Sequence, residues 1–427
     1  MIKIQAPKGT KDCLPGQVYR WQFVEEIFRE TARTFGFTEI RTPLIEYTEL
    51  FERGIGDTTD VVEKQMYTFK DYGDRSITLR PEGTAGVVRA YMENSLSSEG
   101  SPCKLWYEIP CFRYEKPQAG RLREFHQFGI EVVGSHDMLA DAEVIAFADA
   151  FFQSVGVTDL SLRINSIGCP GCRPVYRKQL MSYFEKHLDE LCDTCKSRYE
   201  RNPMRIFDCK SPHCQEIAAD APVMLDSLCE SCEADFEALK ENLKSLSIEF
   251  EIDARIVRGL DYYTKTAFEF VSDKIGAQGT LCGGGRYDHL MKELGGEDIP
   301  GVGFGLGIER TLLAMEASGA EAQEPDGPDA VLIYMGEKAK ATSLLILRVL
   351  RDCGFAAEMD LCARNVKGQF KYAGKAGART AVVIGEDELA SGFAKVKDMR
   401  TGEEYECAFA DIAAAIQDIY ETDEDYE

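Results

Sequence analysis

The sequence predicts an α+β protein with a large antiparallel sheet, a Cys-rich helical insertion and a smaller α/β domain at the C-terminal end. The main observation is a series of strand-like segments joined by turns rather than by regular helices, which favours antiparallel pairing. These segments are Ser76–Arg80, Lys104–Arg113, Glu124–Val133, Leu160–Ile164, Glu249–Val257 and Ala267–Val271. A second observation is the change to helical sequence at 170–247, around which eight of the 15 cysteines cluster.

The first elements of the chain are a helix and a strand. Apolar residues recur at helical spacing on one face between Gln17 and Arg33, which predicts an amphipathic helix. A strand, Thr38–Thr42, follows and ends before Pro43.

The C-terminal part begins after a linker. Ala317–Asp329 is rich in Glu, Ala, Gly and Pro, as linkers are. Beyond it, Ala330–Tyr334, Phe355–Glu358 and Ala381–Ile384 alternate with helical segments, which predicts an α/β domain. We therefore predict domains at 1–320 and 328–427, with the insertion at 170–247 inside the first.

The composition is that of an ordinary globular protein. Of the 427 residues, 44% are hydrophobic and 29% are charged. No stretch approaches 18 consecutive apolar residues, and the segment Met1–Lys8 has no apolar signal region. These features predict a cytoplasmic protein without a membrane span.

The net charge of −24 argues against a simple nucleic-acid binder, which would normally present a basic face. A local basic patch nevertheless occurs near the C-terminal end, with spacings of three or four residues that predict one side of a helix. It consists of Arg364, Lys367, Lys371, Lys375 and Arg379. The patch is either a solvated helix face or a surface that contacts phosphates.

Three segments each supply an arginine from a strand or a strand end. They are Phe112–Glu115, Arg258–Thr264 and Gly301–Arg310, and no Walker-type loop accompanies them. Three arginines directed at one place predict a site where negative charge develops, as in phosphoryl and adenylyl transfer.

The segment Gly301–Arg310 has glycine at every second position. On a strand these glycines share one face, which allows a flat ligand or another backbone to approach closely. The alternative is tight strand packing with Arg310 in solvent. In the upstream segment, Arg113 could bind a phosphate, Phe125 could stack on a base, and Lys116, Arg121 and Arg123 form a basic loop.

Taken together, these segments resemble the class II histidyl-tRNA synthetases. The resemblance covers almost the whole chain and rests on motifs that are weak alone but specific in combination. They are Lys8–Asp12, Thr78–Thr84, Arg113–Gln127, Arg258–Thr264, Gly283–Asp288 and Gly301–Arg310. The resemblance implies ATP-dependent attachment of L-histidine to tRNA(His), with ATP and Mg²⁺ required and the C-terminal domain binding the anticodon.

The resemblance also implies roles for individual residues. Arg113 and Arg258 would be catalytic, acting at the ATP α-phosphate. Histidine would be bound by Glu82, Gly83, Thr84, Gln127, Glu131, Tyr262 and Tyr263. ATP would be bound by Arg113, Glu115, Phe125 and Arg310. Transfer RNA would be bound by Lys116, Arg121, Arg123, Arg364, Lys367 and Lys371.

The imidazole pocket has a simple chemical requirement. A neutral imidazole presents one N–H donor and one bare nitrogen, so a carboxylate and a phenol on opposite sides satisfy both. Glu131 and Tyr263 are the residues that the resemblance places there.

The resemblance does not explain the cysteines. Cys169, Cys172, Cys192 and Cys195 have the spacing of a tetrahedral structural zinc site, and the remaining four fit such a site loosely. The alternative is that these residues are free structural thiols.

A rival function and an assembly are also predicted. The histidine-binding regulatory subunit of ATP phosphoribosyltransferase resembles the same catalytic domain, although it usually lacks the anticodon-binding part. A homodimer is expected because the first helix and strand form the subunit interface in this class. The apolar face Trp21–Phe28 is compatible with that role.

Overall fold

The computed structural model describes residues 3–56 and 59–424 and separates into two compact units, Met1–Gln323 and Glu324–Glu427. The strands of the first unit are β1 Thr38–Glu39, β2 Ile45–Tyr47, β3 Tyr67–Lys70, β4 Ser76–Leu79, β5 Cys103–Phe112, β6 Glu124–Val133, β7 Ser161–Ser166, β8 Glu251–Ile252, β9 Thr264–Val271, β10 Thr280–Arg286 and β11 Gly301–Gly307. Its helices are α1 Pro15–Thr34, α2 Thr48–Ile55, α3 Thr84–Glu93, α4 Met138–Ser154, α5 Arg173–Glu185, α6 Asp193–Arg201, α7 Pro212–Ala219, α8 Glu230–Ser245, α9 Leu290–Glu293 and α10 Ile308–Ser318.

An eight-stranded sheet organises the first unit, in the order β1-β5-β6-β11-β10-β9-β7-β8. Its central pairs are all antiparallel, and parallel pairing occurs only where β1 meets β5 and β8 meets β7. The predicted α+β class with an antiparallel sheet is therefore confirmed. The segment predicted as Glu249–Val257 forms only the two-residue edge strand β8, because it pairs with β7 at two residues alone.

The apolar face of α1 packs inside its own unit. Phe28 is fully buried and stacks on Phe128 of β6 with ring centroids 4.2 Å apart, and it also contacts Phe147 and Phe151 of α4. Val24 is fully buried in the same core. The expectation that this face contributes to a subunit interface is wrong for Val24 and Phe28, because both side chains are already covered.

A second, three-stranded sheet has the order β2-β4-β3. The register places Tyr47 and Phe69 on either side of Ile77, so that these side chains share a face with Ile45. Ile45, Tyr47 and Phe69 are 49%, 54% and 48% exposed. This sheet therefore presents an uncovered apolar face.

The second unit is a five-stranded sheet in the order β13-β12-β14-β15-β16. Its strands are β12 Ala330–Tyr334, β13 Ala357–Met359, β14 Thr380–Ile384, β15 Phe393–Asp398 and β16 Glu404–Ala408. Its helices are α11 Glu337–Asp352, α12 Val366–Lys375, α13 Glu386–Ser391 and α14 Ile412–Glu424. The first three strands are parallel, as expected for an α/β domain.

The basic patch is smaller than the spacing predicts. Lys367, Lys371 and Lys375 are exposed on α12. Arg364 precedes the helix and pairs with Asp360, because the side chain of Asn365 caps the helix after it.

At the far end of the patch, Arg379 lies beyond α12 and within 3.4 Å of the Asp398 carboxylate. The prediction that all five basic residues share one helix face is therefore wrong for Arg364 and Arg379. Within the described part of the chain, the membrane search finds no helix with the length and apolarity needed to span a bilayer.

Candidate active site

One cavity of about 220 Å³ opens on the face of the eight-stranded sheet. Its wall brings together most of the predicted site residues, although they come from distant parts of the chain. The predicted residues that line it are Glu82, Gly83, Thr84, Arg113, Glu115, Arg121, Phe125, Gln127, Arg258, Tyr262, Tyr263 and Arg310. Glu131 lies beneath this wall with no exposed surface.

The alternating glycines of β11 provide room for the side chains around this cavity. A Cβ on Gly303 would overlap the Glu131 carboxylate, and a Cβ on Gly301 would overlap the ring of Tyr287. At the other end of the strand, Gly305 and Gly307 line the cavity itself. The bare strand face is therefore used both to accommodate buried polar side chains and to form the cavity floor.

Three arginines converge at one end of the cavity. Arg113 donates from Nε to the carbonyl of Pro81 and lies over the ring of Phe125, 5.2 Å from its centroid. Arg310 donates to the carbonyls of Gly120 and Thr280 at 2.9 and 2.7 Å.

The charges in this cluster act on one another. Burial, and after it the positive charges of Arg121 and Arg113, lower the pKa of Arg310. Like charges held this close create an anion-binding site.

Arg258 approaches the cavity from the opposite strand side. It forms an ion pair with Glu269 of β9 and lies over the Tyr263 ring, 5.5 Å from its centroid. Gly283 of β10 lies directly beneath it, because a Cβ there would overlap the guanidinium. The arginine is thus fixed between two strands before any ligand binds.

A buried carboxylate marks the start of α3. Glu82 accepts hydrogen bonds from the backbone N–H groups of Thr84 and Ala85 at 2.6 and 2.9 Å, in the manner of a helix cap. Burial raises its pKa. Gln127, which also lines the cavity, accepts a 3.3 Å hydrogen bond from the Cys111 thiol.

Glu131 is held by two tyrosines. The hydroxyls of Tyr107 and Tyr287 lie 3.1 and 2.6 Å from its carboxylate oxygens. Burial raises the pKa of Glu131 to about 8, although hydrogen bonds from Tyr287 and Thr84 oppose the rise. Sequence reasoning missed both tyrosines. Tyr287 could have been found, because it follows the glycine run of β10 within a recognised motif.

The basic loop between β5 and β6 is divided between two environments. Lys116 is exposed. Arg121 instead turns toward the cavity, with its Nε 2.7 Å from Glu115 Oε2. Arg123 lies 3.9 Å above the ring centroid of Tyr114 and donates to the carbonyl of Glu115 at 3.2 Å. These three residues therefore do not form one exposed basic tip.

The predicted cysteine quartet does not assemble. Cys169 and Cys172 meet Cys229 and Cys232, whereas Cys192 and Cys195 meet Cys209 and Cys214. The four sulfurs of each group lie within 4.8 Å of one another. The predicted grouping is wrong because α5 to α8 fold back on themselves, which brings the last Cys pair against the first and leaves the inner four together.

Comparison with known proteins identifies the family. A family model described as histidyl-tRNA synthetase matches residues 9–311, and one described as anticodon binding domain matches residues 329–419. The chain belongs to the histidyl-tRNA synthetase family. The histidine–tRNA ligase of Caldanaerobacter subterraneus subsp. tengcongensis is 52% identical over 413 residues, which are 97% of this chain and 99% of that protein.

Solved structures of the family agree with this assignment. Apo histidyl-tRNA synthetase from Staphylococcus aureus superposes with a TM-score of 0.83 at 40% identity, covering 97% of this chain and all of that one. A Bacillus halodurans chain described as an ATP phosphoribosyltransferase regulatory subunit/histidyl-tRNA synthetase covers 90% of this chain and all of that one. Its TM-score is 0.64 at 21% identity, a likeness of fold alone.

Proposed function

We propose that this family member attaches L-histidine to the 3′ end of tRNA(His), using ATP to form a histidyl-adenylate. The observation that carries the proposal is the single cavity in which Arg113, Arg258 and Arg310 meet Glu82, Gln127 and the tyrosine-lined Glu131. One end suits a polyphosphate, and the other suits a small cationic amino acid with a ring that donates a hydrogen bond.

Adenylate formation needs charge neutralisation more than a base. The histidine carboxylate attacks the α-phosphorus, the bond to the β-phosphate oxygen breaks, and pyrophosphate leaves. Arg113 and Arg258, on opposite sides of the cavity, stabilise the negative charge that develops on the α-phosphate. The terminal ribose hydroxyl of the tRNA then attacks the acyl carbon, and AMP leaves.

The nucleotide site follows from the same geometry. Phe125 and the guanidinium of Arg310 would bind the two faces of the adenine. Arg121 lines the cavity beside Arg113 and Arg310, so we assign it to the polyphosphate rather than to tRNA.

The carboxylates in the cavity fit a magnesium ion. Mg²⁺ is commonly held by one or two carboxylates together with substrate phosphates. Glu115 and Glu309 both line the cavity, and Glu115 Oε2 is buried outside hydrogen-bond geometry despite the nearby Arg121. These two residues would hold the ion, which would neutralise phosphate charge.

Histidine recognition combines two buried carboxyl groups. Glu82, Thr84 and Gln127 would bind the α-amino group, for which Glu82 retains lone pairs after capping α3. Glu131 would accept the imidazole N–H, while Tyr262 and Tyr263, whose ring centroids are 4.6 Å apart, complete the wall. A site built to pair both ring nitrogens discriminates strongly against analogues that lack one.

Transfer RNA would contact both units. Lys116 is the exposed residue of the loop beside the cavity and would reach the acceptor stem. Lys367 and Lys371 on α12, with Arg364 next to them, would contact anticodon-arm phosphates. Such an enzyme would act in the cytoplasm.

The proposed assembly is a homodimer. The support for it is the exposed apolar face of the sheet β2-β4-β3, since large exposed apolar patches mark protein interfaces. This surface replaces the covered face of α1 in the proposal.

Histidine-dependent exchange of pyrophosphate into ATP tests the function. We expect exchange with histidine and with none of the other amino acids, followed by charging of tRNA(His). Histidine binding without exchange would instead support the regulatory-subunit function.

A further inference from the structure

We propose that the insertion holds two zinc ions, one in each cysteine quartet, and that they fix two arginines against the Arg258–Thr264 segment. Site A consists of Cys169, Cys172, Cys229 and Cys232, and site B of Cys192, Cys195, Cys209 and Cys214. The metal content stands independently of the enzyme's activity, whereas the positioning role rests on the proposed function.

The distances between the sulfurs fit a tetrahedral ion. With a Zn–S bond of about 2.3 Å, the edge of a regular tetrahedron is about 3.8 Å. Cys169 Sγ lies 3.7 Å from Cys172 Sγ and 4.0 Å from Cys229 Sγ. In site B, Cys192 Sγ lies 3.8 Å from Cys209 Sγ. These separations are nearly twice the length of a disulfide bond, about 2.05 Å, so the sulfurs are not bonded to one another.

The surrounding backbone favours thiolates. In site A the N–H of Cys229 points at Cys172 Sγ at 3.1 Å, and in site B the N–H of Cys192 points at Cys214 Sγ at 3.4 Å. Hydrogen bonds of this kind orient metal-bound sulfurs and stabilise their charge. Four thiolates in such a space repel one another unless a cation lies between them, and a site with only sulfur donors selects zinc.

Site A also benefits from helix geometry. The N–H groups of Cys172 and Arg173 donate to the carbonyl of Cys169 at 3.0 and 3.2 Å, forming a tight turn that leads into α5. Cys172 and Cys229 immediately precede α5 and α8, where the helix dipole favours a thiolate.

The insertion has little else to stabilise it. Its buried core contains 14 residues, and five of these are cysteines of the two quartets. A core this small usually needs a metal or a disulfide to fold stably. The two ions would therefore act as its structural staples.

Each site lies next to an arginine that contacts the proposed histidine-binding segment. Arg173, which follows Cys172, donates to the carbonyl of Tyr263. Arg205, between Cys195 and Cys209 and 7% exposed, donates to the Gly259 carbonyl and to Asp261 Oδ1, both at 2.9 Å. The two arginines hold the two ends of the segment that carries Tyr262 and Tyr263, so the metals act on histidine binding through them.

The first experiment is elemental analysis of the full-length protein purified without chelator. We expect about two zinc ions per chain. The variants Cys232→Ser and Cys195→Ser should each lose one ion, whereas Cys353→Ser, at an exposed cysteine outside both sites, should keep two. Less than half an ion per chain in the wild-type protein, or stoichiometric iron, would overturn the zinc assignment whatever the variants do.

The second experiment tests the positioning role by calorimetric titration with histidine. Arg205→Ala should keep two zinc ions and weaken histidine binding about 10-fold, the loss typical when a supporting contact is removed. Arg177→Ala, which removes a hydrogen bond within the insertion to Glu200, is the matched control and should bind histidine normally. Zinc retained with unchanged histidine affinity in Arg205→Ala would overturn the positioning role alone. Two zinc ions in a protein that binds no histidine would count against the proposed function and not against the metal sites.

Discussion

Glu131 is a carboxyl group without solvent contact, and its protonation state links the cavity to pH. Its pKa of about 8 in the folded chain is well above the ordinary value of 4.5. The folded state therefore binds a proton that the unfolded state releases between these pH values.

We expect a pH-dependent stability difference between the wild-type protein and Glu131→Gln. The stabilising contribution of the proton is fully present below about pH 4.5 and is lost as the pH rises through about 8. The wild-type free energy of unfolding should thus fall relative to that of the variant by a few kcal/mol across this window. Denaturant titrations of both ligand-free proteins at several pH values measure it. A constant difference would show that Glu131 is ionised throughout.

Gly283 is required by the position of Arg258. In Gly283→Ala the new methyl group overlaps the guanidinium, so Arg258 must move away from the α-phosphate site. We expect a loss of about 10²-fold or more in the rate of pyrophosphate exchange, with the fold retained. Gly16→Ala, where a Cβ meets open space, is the control and should be fully active. Equal activity of the two variants would remove Arg258 from the proposed mechanism.

At the scale of elements, α12 carries the exposed lysines of the second unit. Reversing two charges with Lys367→Glu and Lys371→Glu should weaken tRNA binding and lower the salt dependence of binding by about two units of slope. Pyrophosphate exchange should stay unchanged, because the cavity lies in the other unit. Filter-binding titrations at several salt concentrations measure the slope.

The control for this pair lies on α11 of the same unit. Lys338→Glu with Lys340→Glu makes the same charge change at exposed positions. If both double variants lose affinity equally, α12 has no specific role and the effect is one of net charge.

The elements also show how far sequence reasoning reaches. Strand alternation located β5 and β6 closely, and the glycine run located β11, because burial on one face of a sheet imposes a period of two. The pairing of Cys169 with Cys229 rather than with Cys192 was not predictable. Spacing along the chain contains no information on how four short helices fold back.

The same limit applies to Tyr107. Its contact with Glu131 depends on Gly129 leaving space beneath its ring, where a Cβ would overlap the phenol. Such a contact follows from sheet register, which a single sequence does not specify.

For the molecule as a whole, the exposed face of β2-β4-β3 predicts the assembly. Ile45→Glu combined with Phe69→Glu should yield monomers in sedimentation at micromolar concentration, because two charges would be buried without partners. Leu139→Glu, at a side chain 61% exposed on α4, should leave the sedimentation coefficient of the wild-type protein unchanged. A double variant that sediments like the wild type would exclude this face from the interface.

The strand order has a consequence for synthesis. β11 lies between β6 and β10 in the middle of the sheet, yet it is the last of the eight strands to leave the ribosome. Until Gly301–Gly307 emerges, β6 and β10 expose unpaired backbone groups that invite pairing with other nascent chains. The gap left for β11 can be closed only after about 300 residues have been translated. Products of premature termination should therefore be prone to aggregation, and chaperones that shield open sheet edges should associate with the growing chain until this strand is complete.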